Sequence, residues 1–242
     1  MAREVVGSMS DWSGVLKDEL RQINDGSLTL KQLTAVTEHR NPFEDLASRI
    51  KTQIKRQRIC CKKYFPKEVL CGLDLDFDKV KIQNYNSGLD RLLIIPRGFT
   101  SNLGFDACAR QFPAWRYADD LDKAVPRNDR NACNDSYAVW FRDRQEADEE
   151  LKNLSANQLV EQGILGITLP ERLWYEIVYW DETGEHLDIS NWTLCSGSRD
   201  VDGAVPGVSW SVGKLGVAWH YADYHYGHLR ARAAVPCLPK AD

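Results

Sequence analysis

The chain has 242 residues, of which 43% are hydrophobic and 27% are charged, so it can bury a sizeable core in one or two domains. A formal net charge of −4 and a pI near 5.8 argue against a protein-wide nucleic-acid-binding surface, and we expect no nucleic-acid partner. No apolar stretch approaches the roughly eighteen residues of a membrane span, and the first residues lack the apolar core of a secretion signal. A cytoplasmic location is the default expectation, and the sequence is also compatible with display at a cell surface.

Cysteine usage indicates free thiols. The seven cysteines are odd in number, show no Cys-x-x-Cys spacing and include the adjacent pair Cys60 and Cys61. This pattern is typical of a reducing compartment and does not predict a zinc knuckle.

The first part of the chain is predicted to be helical. Apolar residues recur at helical spacing between residues 11 and 60, and Asp25-Gly26 interrupts them. The pattern predicts a helical hairpin followed by a third helix from residue 43 to about 59. We therefore expect residues 1–65 to form a helical N-terminal region.

The next part of the chain, residues 66–135, is predicted to form a small α/β region. It contains a strand-like segment at 90–96, a short helical segment near 103–111 and a polar linker at 127–131.

An α+β domain is predicted for residues 136–242. It begins with a strand at 137–141, continues with helical stretches at about 144–162 and 168–182, and ends in several short strands. Thr168 is the expected N-cap of the second helix, with Pro170 and Glu171 in its first turn.

Two segments near the C-terminus alternate large apolar residues with small or polar ones. The large residues are Val208, Trp210, Leu215, Val217 and Trp219. The residues between them are Gly207, Ser209, Ser211, Gly216, Ala218 and His220. Because side chains alternate between the two faces of a strand, we expect the first set to face the core and the second to face solvent.

A run rich in histidine and tyrosine follows these segments. The residues of this run that could contact a ligand are His220, Tyr221, Asp223, Tyr224, His225, Tyr226, Gly227 and His228. Tyrosines in a loop give large, stiff, amphipathic contacts, as they do in antibodies. We predict that this run and the small residues of the two strands form a ligand-binding surface for an unknown protein or surface ligand. Such binding needs no cofactor, and an oligomer is compatible with it.

Three other interpretations of these residues stay open. His220, His225 and His228, with Asp223, have the ligand chemistry of zinc or iron, so a metal-dependent enzyme is the alternative function. The same residues could instead populate an ordinary solvated loop. The basic run at 51–63 could contact phosphate, although its spacing also fits a solvated helix face.

Four short motifs in the last part of the chain carry a family resemblance. They are Leu194-Cys-Ser-Gly-Ser-Arg199, Val208-Ser-Trp210, Val217-Ala-Trp219 and Leu229-Arg-Ala-Arg232. In this order they resemble the C-terminal part of a C-type lectin-like fold, in particular the branch formed by variable proteins of diversity-generating retroelements and by formylglycine-generating enzymes. Arg199 stands where that branch usually has Trp, and Leu229 stands in place of Phe. The resemblance implies a C-type lectin-like domain at 136–242.

The resemblance also implies a binding protein and not an enzyme. In retroelement-diversified proteins, mutation of template adenines mostly changes Asn codons of the AAY type, which cannot become codons for Lys, Glu, Gln, Met or Trp. Every residue from 220 to 228 belongs to the reachable set, whereas the tryptophans of the two strands do not. Formylglycine-generating enzymes work through reactive cysteines, and none lies in this run. Calcium-dependent lectins use Glu-Pro-Asn-like and Trp-Asn-Asp-like triplets, and neither occurs here.

Three arginines near this region are expected to be structural. We predict that Arg199, Arg230 and Arg232 hydrogen-bond to loop carbonyls or to carboxylates such as Asp200 and Asp202, and so hold the base of the loop.

Overall fold

The computed structural model describes residues 46–82 and 88–237, which contain both helices and mixed sheets, so the α+β class is confirmed. The chain divides into two compact units, residues 1–51 and 52–242. The described part of the first unit is the start of a helix, and the predicted helical hairpin lies outside the described residues. No helix within the described ranges is long and apolar enough to cross a membrane.

The secondary structure can be given in chain order for these residues. The helices are α1 (Leu46–Tyr64), α2 (Lys67–Leu70), α3 (Ser101–Ala109), α4 (Leu121–Ala124), α5 (Ala156–Glu161) and α6 (Leu169–Thr183). The strands are β1 (Arg91–Ile95), β2 (Ala114–Arg116), β3 (Arg127–Asn128), β4 (Tyr137–Phe141), β5 (Trp192–Leu194), β6 (Ser198–Arg199), β7 (Val205–Ser211), β8 (Lys214–His220), β9 (Leu229–Ala231) and β10 (Val235–Pro236). Single 3-10 turns occur at Phe77–Lys79 and Glu149–Leu151.

The strands form three sheets. The largest has five strands in the order β2-β8-β7-β5-β9, with parallel pairing of β2 to β8 and of β5 to β9. A second sheet has the order β1-β4-β10, and β3 pairs with β6 in a third. The predicted strands at 90–96 and 137–141 are confirmed as β1 and β4, and they pair with each other. β1 and β4 lie on either side of the expected division between 66–135 and 136–242, so one sheet includes strands from both regions.

The segment 127–131 is not a linker. Its first two residues form β3, and the Arg130 side chain, which is 8% exposed, donates two hydrogen bonds of 2.7 Å to the Glu171 carboxylate. A charged side chain is rarely buried unless it is paired, and this partner lies 41 residues away along the chain. The polar composition of the segment therefore reflects a tertiary ion pair.

Helix α1 packs on the free edge of β1 through two glutamines one turn apart. The Gln57 side chain accepts from the Ile94 amide and donates to the Leu92 carbonyl, both at 2.8 Å. The Gln53 side chain likewise accepts from the Leu92 amide at 2.8 Å and donates to the Asp90 carbonyl at 3.1 Å. The side chains satisfy backbone groups that would otherwise be unpaired on a buried strand edge.

Helix α6 begins and ends where its sequence predicts. Thr168 is the N-cap, and Thr168 and Glu171 form a capping box in which each side chain accepts from the other residue's amide. The helix ends at Gly184, which has a φ of 71°. By contrast, the helix predicted at 144–162 is wrong over its first half. Asn153 has a φ of 60°, which interrupts any helix, and α5 starts anew with a capping box at Ser155.

A buried ion network joins α6 to the main sheet. Asp188 accepts from Arg172 Nε at 2.9 Å, from Arg232 Nη2 at 2.7 Å and from Thr193 Oγ1 at 2.5 Å. Arg172 also donates to Glu176 at 2.8 Å, one turn along α6. All five side chains are 0–1% exposed. Because two guanidinium groups meet two carboxylates, the charges are balanced away from water.

The register of β7 against β8 confirms the two-faced pattern of these strands. Val208 lies opposite Val217, and Gly207 lies opposite Ala218. Val208, Leu215 and Val217 are completely buried, as predicted. Trp219 was expected to be buried with them, and that expectation is wrong, because it is 44% exposed. It lies opposite the buried Pro206, one residue before the end of β8.

The small-residue face is not fully open to solvent. Ser211 is exposed, Gly216, Ala218 and His220 are partly buried, and Gly207 and Ser209 are buried. The prediction of a solvent-facing position is therefore wrong for Gly207 and Ser209. Trp192 of β5 covers this face, since a Cβ at Gly207 would lie 3.4 Å from its ring and one at Gly216 would lie 3.7 Å from it. The strand period correctly placed the small residues together on one face, but Trp192 of the neighbouring strand β5 packs against part of that face.

Candidate ligand-binding surface

The aromatic loop, defined here as residues 220–228, connects β8 to β9. Tyr221 is 65% exposed and Tyr224 is 48% exposed. Asp223, His225, Gly227 and His228 are exposed as well, while His220 and Tyr226 are partly buried. Most of the predicted site residues in this run therefore face solvent.

The rings of the aromatic loop pack against each other. His220 stacks on Tyr224 with ring centroids 6.2 Å apart and an interplanar angle of 6°. Tyr226 lies 5.4 Å from Tyr224 and 6.5 Å from His228. These contacts hold the side chains in one arrangement, and a preorganised surface loses less conformational entropy when it binds a ligand.

Backbone hydrogen bonds fix both ends of the loop to the framework. The Asn157 amide donates to the Ala222 carbonyl at 3.0 Å, and the Trp192 amide donates to the His228 carbonyl at 2.8 Å. Leu229, directly after the loop, is completely buried in a cluster that Tyr226 also contacts. The loop is therefore anchored to the core at its ends while its middle remains exposed.

His220 has a different environment from the other loop histidines. Its ring covers Gly207 and contacts Trp192 edge to face at 5.7 Å. Its Nε2 is buried and has no hydrogen-bond partner among the residues that the structure describes. Burial lowers the pKa of His220 below its ordinary value of 6.5.

This environment predicts an acid-sensitive fold. Because the pKa of His220 is lower in the folded than in the unfolded chain, both states are neutral above pH 6.5, and the unfolded chain binds the proton first below it. The free energy of unfolding should therefore fall as the pH drops below about 6.5. Urea denaturation between pH 7.5 and 5 measures this, and His220→Phe should reduce the slope. His225→Gln, at an exposed position, should leave the slope unchanged; equal slopes in wild type and His220→Phe would contradict the prediction.

An open cleft of about 640 Å³ lies beside the aromatic loop. One wall is formed by the loop at 200–204, and another by Trp219, Tyr221 and Asp223. Tyr117 and Asn157 also line the cleft. Trp219 and Tyr221 meet edge to face, with ring centroids 5.2 Å apart. The cleft is in the size range of small-molecule sites.

The cleft residues were mostly outside the sequence prediction. Trp219 was assigned to the core by strand alternation, and Tyr117 and the 200–204 loop reach the cleft only through pairing of β2 with β8 and of β3 with β6. Nothing local in the sequence indicates these neighbours. Trp192, which covers the small-residue face, was missed for the same reason.

The three arginines are structural, but not with all the predicted partners. Arg199 donates to the carbonyls of Ser196 and Ser198 at 2.7 and 2.8 Å, as expected of a loop-holding arginine. Arg230 pairs with Glu149. Arg232 belongs to the buried network around Asp188. Arg232 also donates to the loop carbonyls of Arg144 and Gln145 at 2.9 and 2.7 Å, as predicted. The example carboxylates Asp200 and Asp202 were wrong, because Glu149 and Asp188 pair with Arg230 and Arg232 instead.

The three histidines of the metal alternative are not brought together. Among residues 46–82 and 88–237, no group of three or more His, Cys, Asp or Glu side chains is arranged to hold a metal ion. His220 turns toward Gly207, and His225 Nδ1 lies 3.3 Å from Asn153 Oδ1.

Metal analysis provides a direct check of this arrangement. We expect purified protein to carry well under one equivalent of zinc, copper or iron, and chelation to leave the melting temperature unchanged, because a structural metal would contribute to folding free energy. Elemental analysis with thermal melts before and after chelation measures both. Stoichiometric metal that is lost in a His225→Ala, His228→Ala double variant would instead favour the metal-dependent enzyme.

The basic run on α1 forms a solvated face. Lys51, Lys55, Arg56, Lys62 and Lys63 are all exposed, whereas Cys60 and Cys61 on the opposite side are buried. Arg58 and Lys63 pair with Asp78 and Asp181 at 3.0 and 2.6 Å. Two of the charges therefore have carboxylate partners, and the alternation of exposed basic and buried residues fits a solvated helix face.

All seven cysteines of the chain are free. Burial raises the pKa of Cys61 to about 12 and raises those of Cys60, Cys108 and Cys195 as well. These buried thiols are protonated near neutral pH and are poor nucleophiles.

Comparison with known proteins adds no family assignment, since no protein-family model, curated protein or solved structure matches this chain. The candidate site is therefore defined by its own geometry: an anchored aromatic loop beside an open cleft.

Proposed function

We propose that this chain is a ligand-binding protein whose recognition surface is the aromatic loop, carried on a C-type lectin-like domain that a diversity-generating retroelement diversifies. The observation that carries the proposal is the contrast between loop and framework. Tyr221 and Tyr224 in the loop are 65% and 48% exposed. Val208, Leu215 and Val217, in the strands that precede the loop, are completely buried. Side chains in the loop can change without disturbing these core residues.

The chemistry of the loop supports recognition over catalysis. Exposed tyrosine side chains bury a large area on binding at a small entropic cost, and histidine and aspartate add hydrogen bonds. Core positions of β7 and β8 must be apolar because they are buried. Tyr221, Asp223, Tyr224 and His225 are exposed, so they are not restricted in this way. Binding through these residues requires no cofactor.

A paired library experiment tests the separation of surface from framework. One library randomises residues 221, 223, 224, 225 and 228, and a matched library randomises residues 205, 208, 215, 217 and 229. We expect most loop variants to unfold cooperatively near the wild-type temperature and most framework variants to be unfolded, because surface changes usually alter stability by less than about 0.5 kcal/mol. Selection of the loop library on a panel of unrelated proteins should then yield binders. Equal loss of folding in both libraries would overturn the proposal.

The retroelement part of the proposal is tested in the surrounding DNA. We expect a reverse transcriptase gene and a near-copy of the segment that encodes residues 205–235, differing mainly where the copy has adenine. A complete genome without such a copy would remove the diversification mechanism and leave the binding surface to be judged by the libraries alone.

A further inference from the structure

The cleft beside the aromatic loop has an aromatic corner. Trp219 and Tyr221 are 44% and 65% exposed, and their rings meet at an angle of 82°. Two rings at right angles form a corner, and the face of each ring carries negative π-density. Such a corner attracts a cation more strongly than a neutral group of the same shape.

The charges that line the cleft have the same sign as the π-surfaces. Asp200, Asp202 and Asp223 line it, and no lysine, arginine or histidine among residues 46–82 and 88–237 does. Arg127 does not line the cleft, but it donates to the Asp200 carbonyl at 2.8 Å, and its Nη2 would lie 3.9 Å from a Cβ at Gly203, which does line it. Among the described residues, Asp202 and Asp223 form no ion pair, whereas the Asp200 carboxylate accepts from the Asp202 and Ala204 amides. The cleft is therefore electrostatically complementary to a positive ligand.

The geometry selects an organic cation over a metal ion. The three carboxylates are not arranged as a metal-binding group, and the volume of about 640 Å³ is far larger than a hydrated ion requires. Tyr117 lines the same space, and its hydroxyl oxygen is buried with no hydrogen-bond partner within the described part of the chain. Aromatic rings combined with carboxylates form the usual recognition site for alkylated ammonium groups.

We propose that the cleft between the loop at 200–204 and the aromatic loop binds a small organic cation with an alkylated ammonium group, held by Trp219 and Tyr221 and by the carboxylates of Asp202 and Asp223. This inference rests on the proposed function, because Tyr221 and Asp223 belong to both surfaces, and it names the ligand class for that part of the site. The ammonium group would lie against the aromatic corner, and the carboxylates would balance its charge.

Choline and its neutral isostere 3,3-dimethylbutan-1-ol provide the test, since they share one shape and differ in charge. Binding to the full chain is followed by calorimetry and by tryptophan fluorescence. We expect saturable choline binding that is about tenfold tighter than binding of the neutral alcohol, the discrimination that cation–π contacts to two exposed rings provide together. Trp219→Ala should abolish choline binding, and Asp202→Asn should weaken it severalfold.

Trp115→Ala is the matched control. Trp115 is 48% exposed, similar to Trp219, but it does not line the cleft, so its removal should leave choline binding unchanged. Thermal melts of each variant confirm that it is folded. Equal affinity for choline and the neutral alcohol, choline binding that survives Trp219→Ala, or no saturable choline binding would each overturn the inference. The loop libraries decide the proposed recognition surface independently, because they can yield binders whether or not choline binds.

Discussion

Asp188→Asn is expected to destabilise the protein by about 3–5 kcal/mol, the usual cost of removing one partner from a buried ion pair. The Asp188 carboxylate is the only described group that joins Arg172, Arg232 and Thr193 directly. Burial by itself lowers the pKa of Arg172, but the carboxylates of Asp188 and Glu176 raise it above its ordinary value, so Arg172 stays charged. Neutralising Asp188 leaves positive charge uncompensated in the core.

Asparagine isolates the charge effect at this position. Asp188 has a φ of 55°, a left-handed conformation that asparagine tolerates better than most residues, so the backbone need not change. Urea denaturation measures the free energy of unfolding, with Asp223→Asn as an exposed control that should change it by no more than about 0.5 kcal/mol. A loss of under about 1 kcal/mol in Asp188→Asn would show that the network contributes little net stability.

Trp174→Ala is expected to cost about 3–5 kcal/mol of stability, whereas Trp219→Ala should change it by no more than about 1 kcal/mol. Trp174 on α6 is completely buried, packs 5.6 Å from the Phe99 ring and donates from Nε1 to Gln57 Oε1 at 3.1 Å. Its removal leaves a large cavity and removes one of the two hydrogen bonds that Gln57 Oε1 accepts, the other being from the Ile94 amide. Trp219 is 44% exposed, and its ring meets that of Tyr221 edge to face.

The two tryptophans can be compared in one denaturation experiment because both substitutions remove the same side chain. Because Trp174 is buried and Trp219 is half exposed, we expect Trp174→Ala to reduce the free energy of unfolding more than Trp219→Ala does. Strand alternation alone would instead predict a large loss for Trp219→Ala. If Trp219→Ala were as destabilising as Trp174→Ala, the end of β8 would be part of the core, and the cleft beside it would not be available to a ligand.

Local sequence signals determined several elements of this protein by themselves. The capping box at Thr168 and Glu171 located the start of α6, because it satisfies amides that every helix start exposes. Apolar runs located β1 and β4, and the period of two placed Val208 and Val217 on one face of the main sheet. The exposed middle of the aromatic loop was also predicted, since tyrosine, histidine and aspartate side chains there have no apolar framework to join.

Only the tertiary structure decided which surfaces are covered and which side chains meet. Trp192 buries Gly207 and Ser209 because β5 pairs with β7, and the cleft exists because β8 ends beside the loop at 200–204. Asp188, Arg172 and Arg232 form one network across 60 residues of sequence, since each needs a partner away from water. Burial and pairing of this kind depend on neighbours that are distant along the chain, and local periodicity contains no information about them.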